Sequence, residues 1–290
     1  MIKLHTTKEK VKNMQKDIEN RQNYLGGSDV GAVLGLNMYK SKFTLWSEKV
    51  GNVEPEDISD RDSVWFGTQT EAINGKRFSM KTGKKIQRSN YAYGIKEYPF
   101  IRTHVDYLVK GESSGLECKF TGMNRFDYEN GEVPPAHYAQ VQLYMACTGK
   151  QNWYLSTIQG NRYHINSIAR DDEFIEQMLK EMEDFWNHVQ SGEPVEIDGS
   201  TSTSNTIASM FPESNEEVET VNLDEFDGTL VALQELSNQQ KNLKELSEKY
   251  KNEIKAAMKE AERGESTQFV VSLKTDKRGG RRFTFREKEV

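Results

Sequence analysis

A β-hairpin near the middle of the chain constrains the fold more than any other sequence feature. Its first strand is predicted from Phe100–Val109, its turn from Lys110–Gly115 and its second strand from Leu116–Phe120, because β-branched and aromatic runs flank turn-forming residues. The alternation of an extended chain places Glu117 and Lys119 on one face of the second strand. If the opposite, apolar face packs inward, the two charges point together into a cleft.

The elements around this hairpin alternate between helix and strand, which predicts an α/β fold in which helices flank a mixed sheet. Thr68 and Glu71 have the spacing of a capping box and predict the start of one of these helices. The predicted helices are Ala32–Leu34, Phe43–Trp46, Thr68–Thr82, Ala136–Thr148 and Asp171–Gln190. The further predicted strands are Lys85–Ser89, Asn152–Ile158 and Arg162–Ile168.

A change in composition predicts three regions. Residues 193–222 are acidic, rich in Ser and Thr, and contain two prolines, as expected for a linker. From Phe226 to Met258, apolar residues recur at close to helical spacing, which predicts one long amphipathic helix followed by a small basic β-hairpin. The apolar stripe of this helix can pair with a partner or pack within the chain. We therefore predict a core over 1–192, a linker over 193–222 and an extension over 223–290.

Composition excludes several classes of protein. Only two cysteines occur, Cys118 and Cys147, so a four-cysteine zinc site and a four-cysteine iron–sulfur cluster are ruled out. No apolar run approaches the roughly 20 residues that cross a bilayer, and the first residues are too polar for a signal peptide. We therefore expect a cytoplasmic protein with no membrane partner. The net charge of −6 is carried after residue 192, so a basic groove in the core remains open.

Three residues of the predicted hairpin could perform chemistry. Hydrolysis of a phosphodiester with divalent metals needs hard oxygen ligands and a group that orients the attacking water. Asp106 and Glu117 are suitable ligands on neighbouring strands, and Lys119 could place an ammonium group beside the water and the phosphate. The same triplet also fits an ordinary ion pair on an exposed strand face. The pattern alone does not choose between these interpretations.

Four separated motifs occur in the core: Gly26–Leu36 (GGSDVGAVLGL), Phe66–Glu71 (FGTQTE), Asp106 with Glu117–Lys119 (ECK), and His137–Tyr144 (HYAQVQLY). In this order they together resemble the YqaJ-type viral recombinase family, which is phage lambda exonuclease-like and part of the PD-(D/E)XK nuclease superfamily. The resemblance covers roughly residues 20 to 190 and leaves out the long C-terminal helix and hairpin.

The resemblance implies a restriction-endonuclease-like mixed sheet and a Mg²⁺-dependent 5′→3′ exonuclease, with Mn²⁺ able to substitute. The implied substrate is the end of double-stranded DNA. The implied setting is phage or prophage homologous recombination, in which the enzyme resects one strand and a single-strand annealing protein acts on the other. Relatives form rings, so a homo-oligomer is also implied.

The resemblance also implies roles for particular residues at the centre of the site. Asp106 and Glu117 would bind metal together with the main-chain carbonyl of Cys118, and Lys119 would orient the nucleophile. Glu71 would face the site from its helix as a further possible ligand, and Gln140 would support the water or the metal shell. Alternatively, Glu71 is only the capping partner of Thr68, and Gln140 is an ordinary polar residue.

Residues near the start of the core would bind DNA. Arg21 and Ser28 resemble positions that hold a 5′-terminal phosphate, and Ser28 would sit at a helix N-terminus, where backbone N–H groups favour anions. Ser28 as a plain N-cap without a ligand is the alternative. Basic residues that could line a groove for the phosphate backbone are Arg21, Lys40, Lys42, Arg125 and Arg162.

Two other functions compete with the exonuclease. The first is a DNA-binding or assembly protein of a recombination complex, in which the long helix pairs with a partner and the nuclease-like core only holds DNA. The second is an endonuclease of the same fold, which needs no pocket for a 5′ end. The basic hairpin could touch DNA in either case, or could be a sheet edge that charge protects from aggregation.

Overall fold

The chain divides into two compact units, Met1–Ser214 and Asn215–Val290. A computed structural model describes residues 4–11, 21–122, 126–215, 220–277 and 279–288. Each helix in the described ranges is too short or too polar to span a membrane.

The first unit packs helices against its strands. Its helices are α1 (Val30–Val33), α2 (Lys42–Val50), α3 (Asp62–Thr82), α4 (Pro135–Thr148), α5 (Asp172–Ser191) and α6 (Thr201–Met210). Its strands are β1 (Thr6–Lys10), β2 (Ile86–Arg88), β3 (Tyr91–Ile95), β4 (Tyr98–His104), β5 (Tyr107–Val109), β6 (Ser114–Thr121), β7 (Asn152–Gln159) and β8 (Arg162–Ala169).

The second unit consists of one long helix followed by a small sheet. The helix is α7 (Asp227–Met258), and the strands are β9 (Arg263–Glu265), β10 (Phe269–Thr275) and β11 (Arg281–Glu287). The predicted long helix and hairpin are thus confirmed, and a third strand joins the hairpin. The large apolar side chains of the helix stripe are exposed, and none of the residues of α7 is buried.

A five-stranded mixed sheet organises the first unit, in the order β2-β5-β6-β7-β8. Strands β6 and β7 are parallel, with Glu117 opposite Leu155, and every other neighbouring pair is antiparallel. A parallel pair needs a crossover connection, and α4 lies in the connection between β6 and β7. The predicted mixed α/β sheet flanked by helices is confirmed.

Helix α4 is the centre of the main core. Pro135 stands at its first turn, and Gly149 ends it in the left-handed conformation that glycine adopts readily (φ 69°). The helix contacts α1, α5, β3 and β7, so its residues are covered on nearly every side. Nine consecutive residues, Ala139–Cys147, are buried. Polar side chains on such a helix must find hydrogen-bond partners inside the protein.

The predicted strand Phe100–Val109 is wrong in its extent, because the chain changes sheets within it. Its first part belongs to β4, which pairs with β3 in a separate sheet of order β1-β3-β4. Its last part is β5, which pairs with β6 through Tyr107 and Leu116. One straight strand cannot follow partners in two sheets, so the chain bends between them. Asp106 therefore lies just before β5 and not within a strand.

The predicted start of a helix at Thr68 is also wrong. Helix α3 begins six residues earlier, at Asp62, where an acidic residue in the first turn favours the helix dipole. Thr68 lies inside the helix, and its hydroxyl donates to the carbonyl oxygen of Val64 at 3.1 Å. The Thr68 side chain therefore caps nothing. The alternative interpretation of Glu71, as only the capping partner of Thr68, is therefore wrong.

The predicted linker over 193–222 contains helix α6. Ser200 caps this helix by accepting a hydrogen bond from the Thr203 backbone N–H at 3.1 Å. Hydroxyl groups then join the helix to the start of α2: Thr203 donates to Ser41 at 2.8 Å, and Thr44 and Thr206 are 2.7 Å apart. The Ser and Thr content that indicated a linker serves a packed interface, and the division between the units falls after Ser214.

Candidate active site

The structure brings Asp106, Glu117 and Lys119 together at one end of the β5–β6 pair. The Asp106 Oδ2 atom accepts a hydrogen bond from the Cys118 backbone N–H at 2.8 Å, which ties this carboxylate to β6. The Lys119 Nζ atom lies 2.8 Å from Glu117 Oε1. Glu117 and Lys119 thus share one face of β6, as the alternation predicts. Glu117 is only 4% exposed, so this charged face is interior.

Gln140 connects the two charged residues of β6 to helix α4. Its Oε1 atom accepts from Lys119 Nζ at 3.0 Å, and its Nε2 atom donates to Glu117 Oε1 at 3.0 Å. The same Nε2 atom donates to the Tyr144 hydroxyl at 2.6 Å, one helical turn along α4. An amide is suited to this position because it can accept from the ammonium and donate to the carboxylate at once.

The site concentrates negative charge. Burial and the neighbouring charge of Glu117 raise the pKa of Asp106 well above its usual range, although the hydrogen bond from Cys118 acts in the opposite direction. Burial disfavours the charged form of Lys119, but attraction to Glu117 prevails and raises the pKa of the amine. Lys119 is therefore an ammonium group at neutral pH. The carboxylates repel each other, and a further positive charge between them would relieve that repulsion.

The residues of the site fit a small hard cation. The Glu117 Oε2 atom is buried and has no hydrogen-bond partner among the described residues. The N–H and C=O of one strand residue point to the same side, so the Cys118 carbonyl is directed toward the side where Asp106 binds its N–H. No three His, Cys, Asp or Glu side chains in the described ranges are grouped to hold a metal. Two carboxylates, a carbonyl and water are typical ligands of Mg²⁺.

Glu71 faces the site from α3 but is partly engaged elsewhere. Its Oε1 atom lies 3.2 Å from Arg88 Nη2, and its charge is one of the influences that raise the pKa of Asp106, after burial and Glu117. Glu71 therefore lies near Asp106 and Glu117. The three carboxylates are not grouped closely enough to hold one metal ion together.

Asn74, one turn after Glu71, is a residue that sequence reasoning missed. It is buried, and its Nδ2 atom donates to the carbonyl oxygens of Lys119 at 3.1 Å and Ser156 at 2.9 Å. Asn74 thus attaches α3 to both β6 and β7 at the position of the lysine. The available signal was its spacing of three residues from Glu71, which places both on one helix face.

His137 precedes Gln140 by one turn on α4 and is a neutral neighbour of the lysine. Burial, with the nearby charge of Lys119, lowers the pKa of this histidine to about 3. Its Nδ1 atom is buried without a hydrogen-bond partner in the described part of the chain. A neutral imidazole adds no second positive charge beside Lys119.

Arg21 and Ser28 are exposed in the segment before α1, which begins with a short 3₁₀ helix (Arg21–Asn23) and continues as a loop. The alternative interpretation of Ser28 as a plain N-cap is wrong, because Asp29 occupies the N-cap position of α1, which has only four residues. The Asp29 side chain accepts from the Gly26 backbone N–H at 3.0 Å instead of capping the helix. Ser28 is therefore free of the capping role.

Lys49 holds this loop together and was also missed from sequence. Its side chain is 4% exposed. Its Nζ atom donates to Asp29 Oδ2 at 3.1 Å and to the carbonyl oxygens of Tyr24 at 2.6 Å and Arg21. A buried ammonium needs such a set of acceptors. Lys49 thereby orders the main chain that carries Arg21 and Ser28.

The loop closes directly on Tyr144. A Cβ atom at Gly27 would lie 2.4 Å from Cε1 of the Tyr144 ring, so only glycine permits this approach. Burial raises the pKa of Tyr144 well above its usual range, and the charge of Arg21 acts in the opposite direction. Because Tyr144 binds Gln140, a continuous chain of contacts runs from the loop to Glu117.

Of the other basic residues predicted to line a groove, two form ion pairs and one is exposed. Lys40 lies 2.7 Å from a Glu48 carboxylate oxygen, and Lys42 lies 3.5 Å from Glu181. Arg162 is exposed at the start of β8. Arg125 lies outside the described residues.

Comparisons with known proteins agree with this arrangement. Residues 18–151 match the model of the YqaJ-like viral recombinase domain, and this range contains all four motifs. The chain is 34% identical over 256 residues to the uncharacterized protein YqaJ of Bacillus subtilis (strain 168), which covers 85% of this chain and 78% of that protein.

Solved structures share the fold over more than half of this chain. One is the alkaline exonuclease LHK-Exo of Laribacter hongkongensis, with a TM-score of 0.50, 19% identity, and coverage of 62% of this chain and 94% of that chain. The complex of LHK-Exo with dAMP gives a TM-score of 0.51 over the same shares of both chains. The fold that contains the expected restriction-endonuclease-like mixed sheet is thus shared with an alkaline exonuclease.

Proposed function

The chain belongs to the YqaJ-like viral recombinase family, and from this premise we propose that it is a Mg²⁺-dependent exonuclease that degrades one strand of double-stranded DNA in the 5′→3′ direction. The observation that carries the proposal is the convergence of Asp106, Glu117 and Lys119 on one interior site, with Gln140 bonded to both charged residues of β6. An isolated surface ion pair would have neither the burial nor the second carboxylate.

The residues of the site would divide the work of hydrolysis. Asp106, Glu117 and the Cys118 carbonyl would hold the cation, and Mn²⁺ could take its place because it prefers similar oxygen ligands. Mg²⁺, when bound, supplies positive charge to the phosphate and makes water more acidic. Lys119 would orient the attacking water and donate to a phosphoryl oxygen. Gln140 would fix the rotamers of Lys119 and Glu117, which preorganises the site.

The direction of degradation would follow from the loop next to the site. Arg21 and Ser28 are exposed on main chain that Lys49 orders, and Gly27 between them contacts Tyr144. An arginine and a hydroxyl are suitable donors for a terminal phosphate. An enzyme that holds the 5′ phosphate beside its hydrolytic centre removes nucleotides from that end.

Degradation from the 5′ end leaves a 3′ single strand. This product is the substrate of an annealing protein, so we propose a role in phage or prophage recombination through single-strand annealing, with such a protein as partner. A ring-forming homo-oligomer would keep the enzyme on its duplex. Family membership is the support for both parts of this proposal.

The test is incubation with linear, nicked and circular duplex DNA in Mg²⁺ and in EDTA. We expect digestion of linear duplex in Mg²⁺ only, slower digestion when the 5′ phosphate is removed, and intact closed circles. Cutting of closed circles would identify an endonuclease. Binding of DNA without any metal-dependent digestion would identify a DNA-binding or assembly protein.

A further inference from the structure

The small sheet of the second unit has two chemically different faces. In an antiparallel pair, residues directly opposite each other project to the same face. Val271 opposite Phe285 and Leu273 opposite Phe283 form an apolar face. The other face carries Lys274 opposite Arg282, Ser272 opposite Thr284, and Val270 opposite Arg286.

The apolar face packs toward the end of helix α7 around Leu273, whereas Phe285 on the same face is 64% exposed. Leu273 is 1% exposed, and its backbone N–H donates to the Glu262 carbonyl oxygen at 2.9 Å. Atoms of Met258, the last residue of α7, lie 3.5 Å from the position of a Cβ atom on Gly264. The opposite face is therefore the outer one, and its residues Lys274, Arg282 and Arg286 are exposed.

These three cations differ from the other basic residues of the sheet, Arg263, Arg281 and Lys288, which have partners. Arg281 donates to the carbonyl oxygen of Ala261 at 3.0 Å and to that of Lys259. Arg263 and Lys288 lie 2.7 and 3.1 Å from carboxylate oxygens of Glu265.

Lys274, Arg282 and Arg286 form no ion pair with any described residue. Lys274 and Arg282 stand directly opposite each other on neighbouring strands. Like charges in that position destabilise a sheet, so a bound anion would relieve a repulsion that the free protein retains.

We propose that this outer face, formed by Lys274, Arg282 and Arg286 and called the basic face, binds the phosphate backbone of DNA as a contact surface separate from the candidate active site. The inference rests on the proposed function in one respect, namely that the bound polyanion is DNA. Arg286 is four residues from Arg282, about 13 Å along the strand, so the face can contact more than one phosphate. The hydroxyls of Ser272 and Thr284 lie between these charges and can donate to phosphate oxygens.

The chemistry of the face predicts how it binds. No aromatic residue projects from it among the described residues, because the three phenylalanines of β10 and β11 lie on the other face. Without aromatic stacking or a groove-reading element, binding will not depend on base sequence. It will depend steeply on salt, because each phosphate contact releases counterions.

The test measures binding of a labelled duplex by the full chain in EDTA at several salt concentrations. The variant combines Lys274→Gln, Arg282→Gln and Arg286→Gln. The matched control combines Lys241→Gln, Lys244→Gln and Lys249→Gln, which removes the same charge from exposed positions on α7. We expect the slope of log K against log salt to fall by about 2.7 in the variant, about 0.9 for each lost contact, and to stay unchanged in the control.

Folding is checked separately by thermal unfolding. We expect the variant to unfold at the wild-type temperature or above, because it loses the repulsion between Lys274 and Arg282. An unchanged salt slope in the variant, or an equal fall in variant and control, would overturn the inference. So would binding to phosphatidylglycerol vesicles that the variant loses while its DNA slope is unchanged.

The two proposals fail in different ways. If the wild type digests linear duplex in Mg²⁺ but the variant binds DNA with the wild-type slope, the basic face is not a DNA contact and the proposed function stands. If the wild type digests nothing but the slope falls in the variant alone, the basic face binds DNA and the proposed exonuclease is wrong.

Discussion

Helices α4 and α7 show two opposite ways in which this chain uses a helix. Nine of the 14 residues of α4 are buried, whereas α7 has 32 residues and none is buried. Most of the stability of a short helix comes from tertiary packing, while an exposed helix depends on its own propensities and neighbouring side-chain pairs. The candidate site is attached to α4, which cannot move without disturbing the core.

This difference has a consequence for the chemistry. Gln140 can hold both Lys119 and Glu117 because α4 is fixed by its surroundings and the Gln140 side chain is buried. The basic face of the second unit needs no such fixation. Contacts with a phosphate backbone tolerate flexible side chains in water, whereas hydrolysis requires groups placed to within a fraction of an ångström.

Lys119→Ala gives the largest expected effect and tests whether the network on α4 serves catalysis. Removal of the ammonium should lower the rate of metal-dependent digestion by about 1,000-fold or more, because it stabilises charge at the phosphate. Duplex binding in EDTA should change little. The measurement is digestion of linear duplex beside the control Lys110→Ala, which alters an exposed turn. Retention of wild-type digestion by Lys119→Ala would remove the lysine from the mechanism.

Leu143→Ala tests the packing side of the comparison. Leu143 lies on α4 and is fully buried (0% exposed), so its truncation leaves a cavity in the main core. The free energy of unfolding should fall by about 2 to 5 kcal/mol, as measured by denaturant titration. A loss below about 1 kcal/mol would mean that the surroundings of α4 collapse into the space and that the helix is less fixed than its burial indicates.

Gly27→Ala probes the contact between the loop and α4. The new methyl group would meet the Tyr144 ring, which is buried and cannot easily move, so we expect a loss of about 1 to 3 kcal/mol. Digestion of 5′-phosphorylated duplex should fall more than digestion of duplex with a 5′ hydroxyl, since the loop carries Arg21 and Ser28.

Gly26→Ala is the matched control, because the nearest atoms to its Cβ position lie at 3.8 Å. It should unfold at the wild-type denaturant concentration and digest both kinds of end at the wild-type rate. Equal behaviour of the two alanine variants would show that the contact with Tyr144 does not constrain the loop.

Local patterns predicted the parts of the site that depend on one strand or one helix. The shared face of Glu117 and Lys119 follows from the period of an extended chain, and the bounds of α4 follow from Pro135 and Gly149. The position of Asp106 was harder. The strand before it pairs with β3 in another sheet, and pairing between distant segments leaves little trace in a short window of sequence.

Residues whose roles depend on distant partners could not be found from sequence. In the sequence, Lys49 is a charge near the end of an amphipathic helix. Its side chain is nevertheless buried, and main-chain carbonyl groups more than 20 residues away accept hydrogen bonds from its ammonium group. Asn74 reads as an ordinary helix residue, yet it bonds main-chain oxygens of β6 and β7. The family resemblance did not include either residue, because its motifs describe the groups that would touch metal or substrate.

Leu243→Ala has the smallest expected effect and completes the comparison between the helices. It makes the same chemical change as Leu143→Ala, but Leu243 lies on α7 and is 66% exposed. We expect the free energy of unfolding to change by less than about 0.5 kcal/mol, because truncation removes little buried surface and alanine favours the helix. The measurement is denaturant titration at two protein concentrations. A loss close to that of Leu143→Ala, growing with protein concentration, would mean that another copy of the chain covers the stripe in solution.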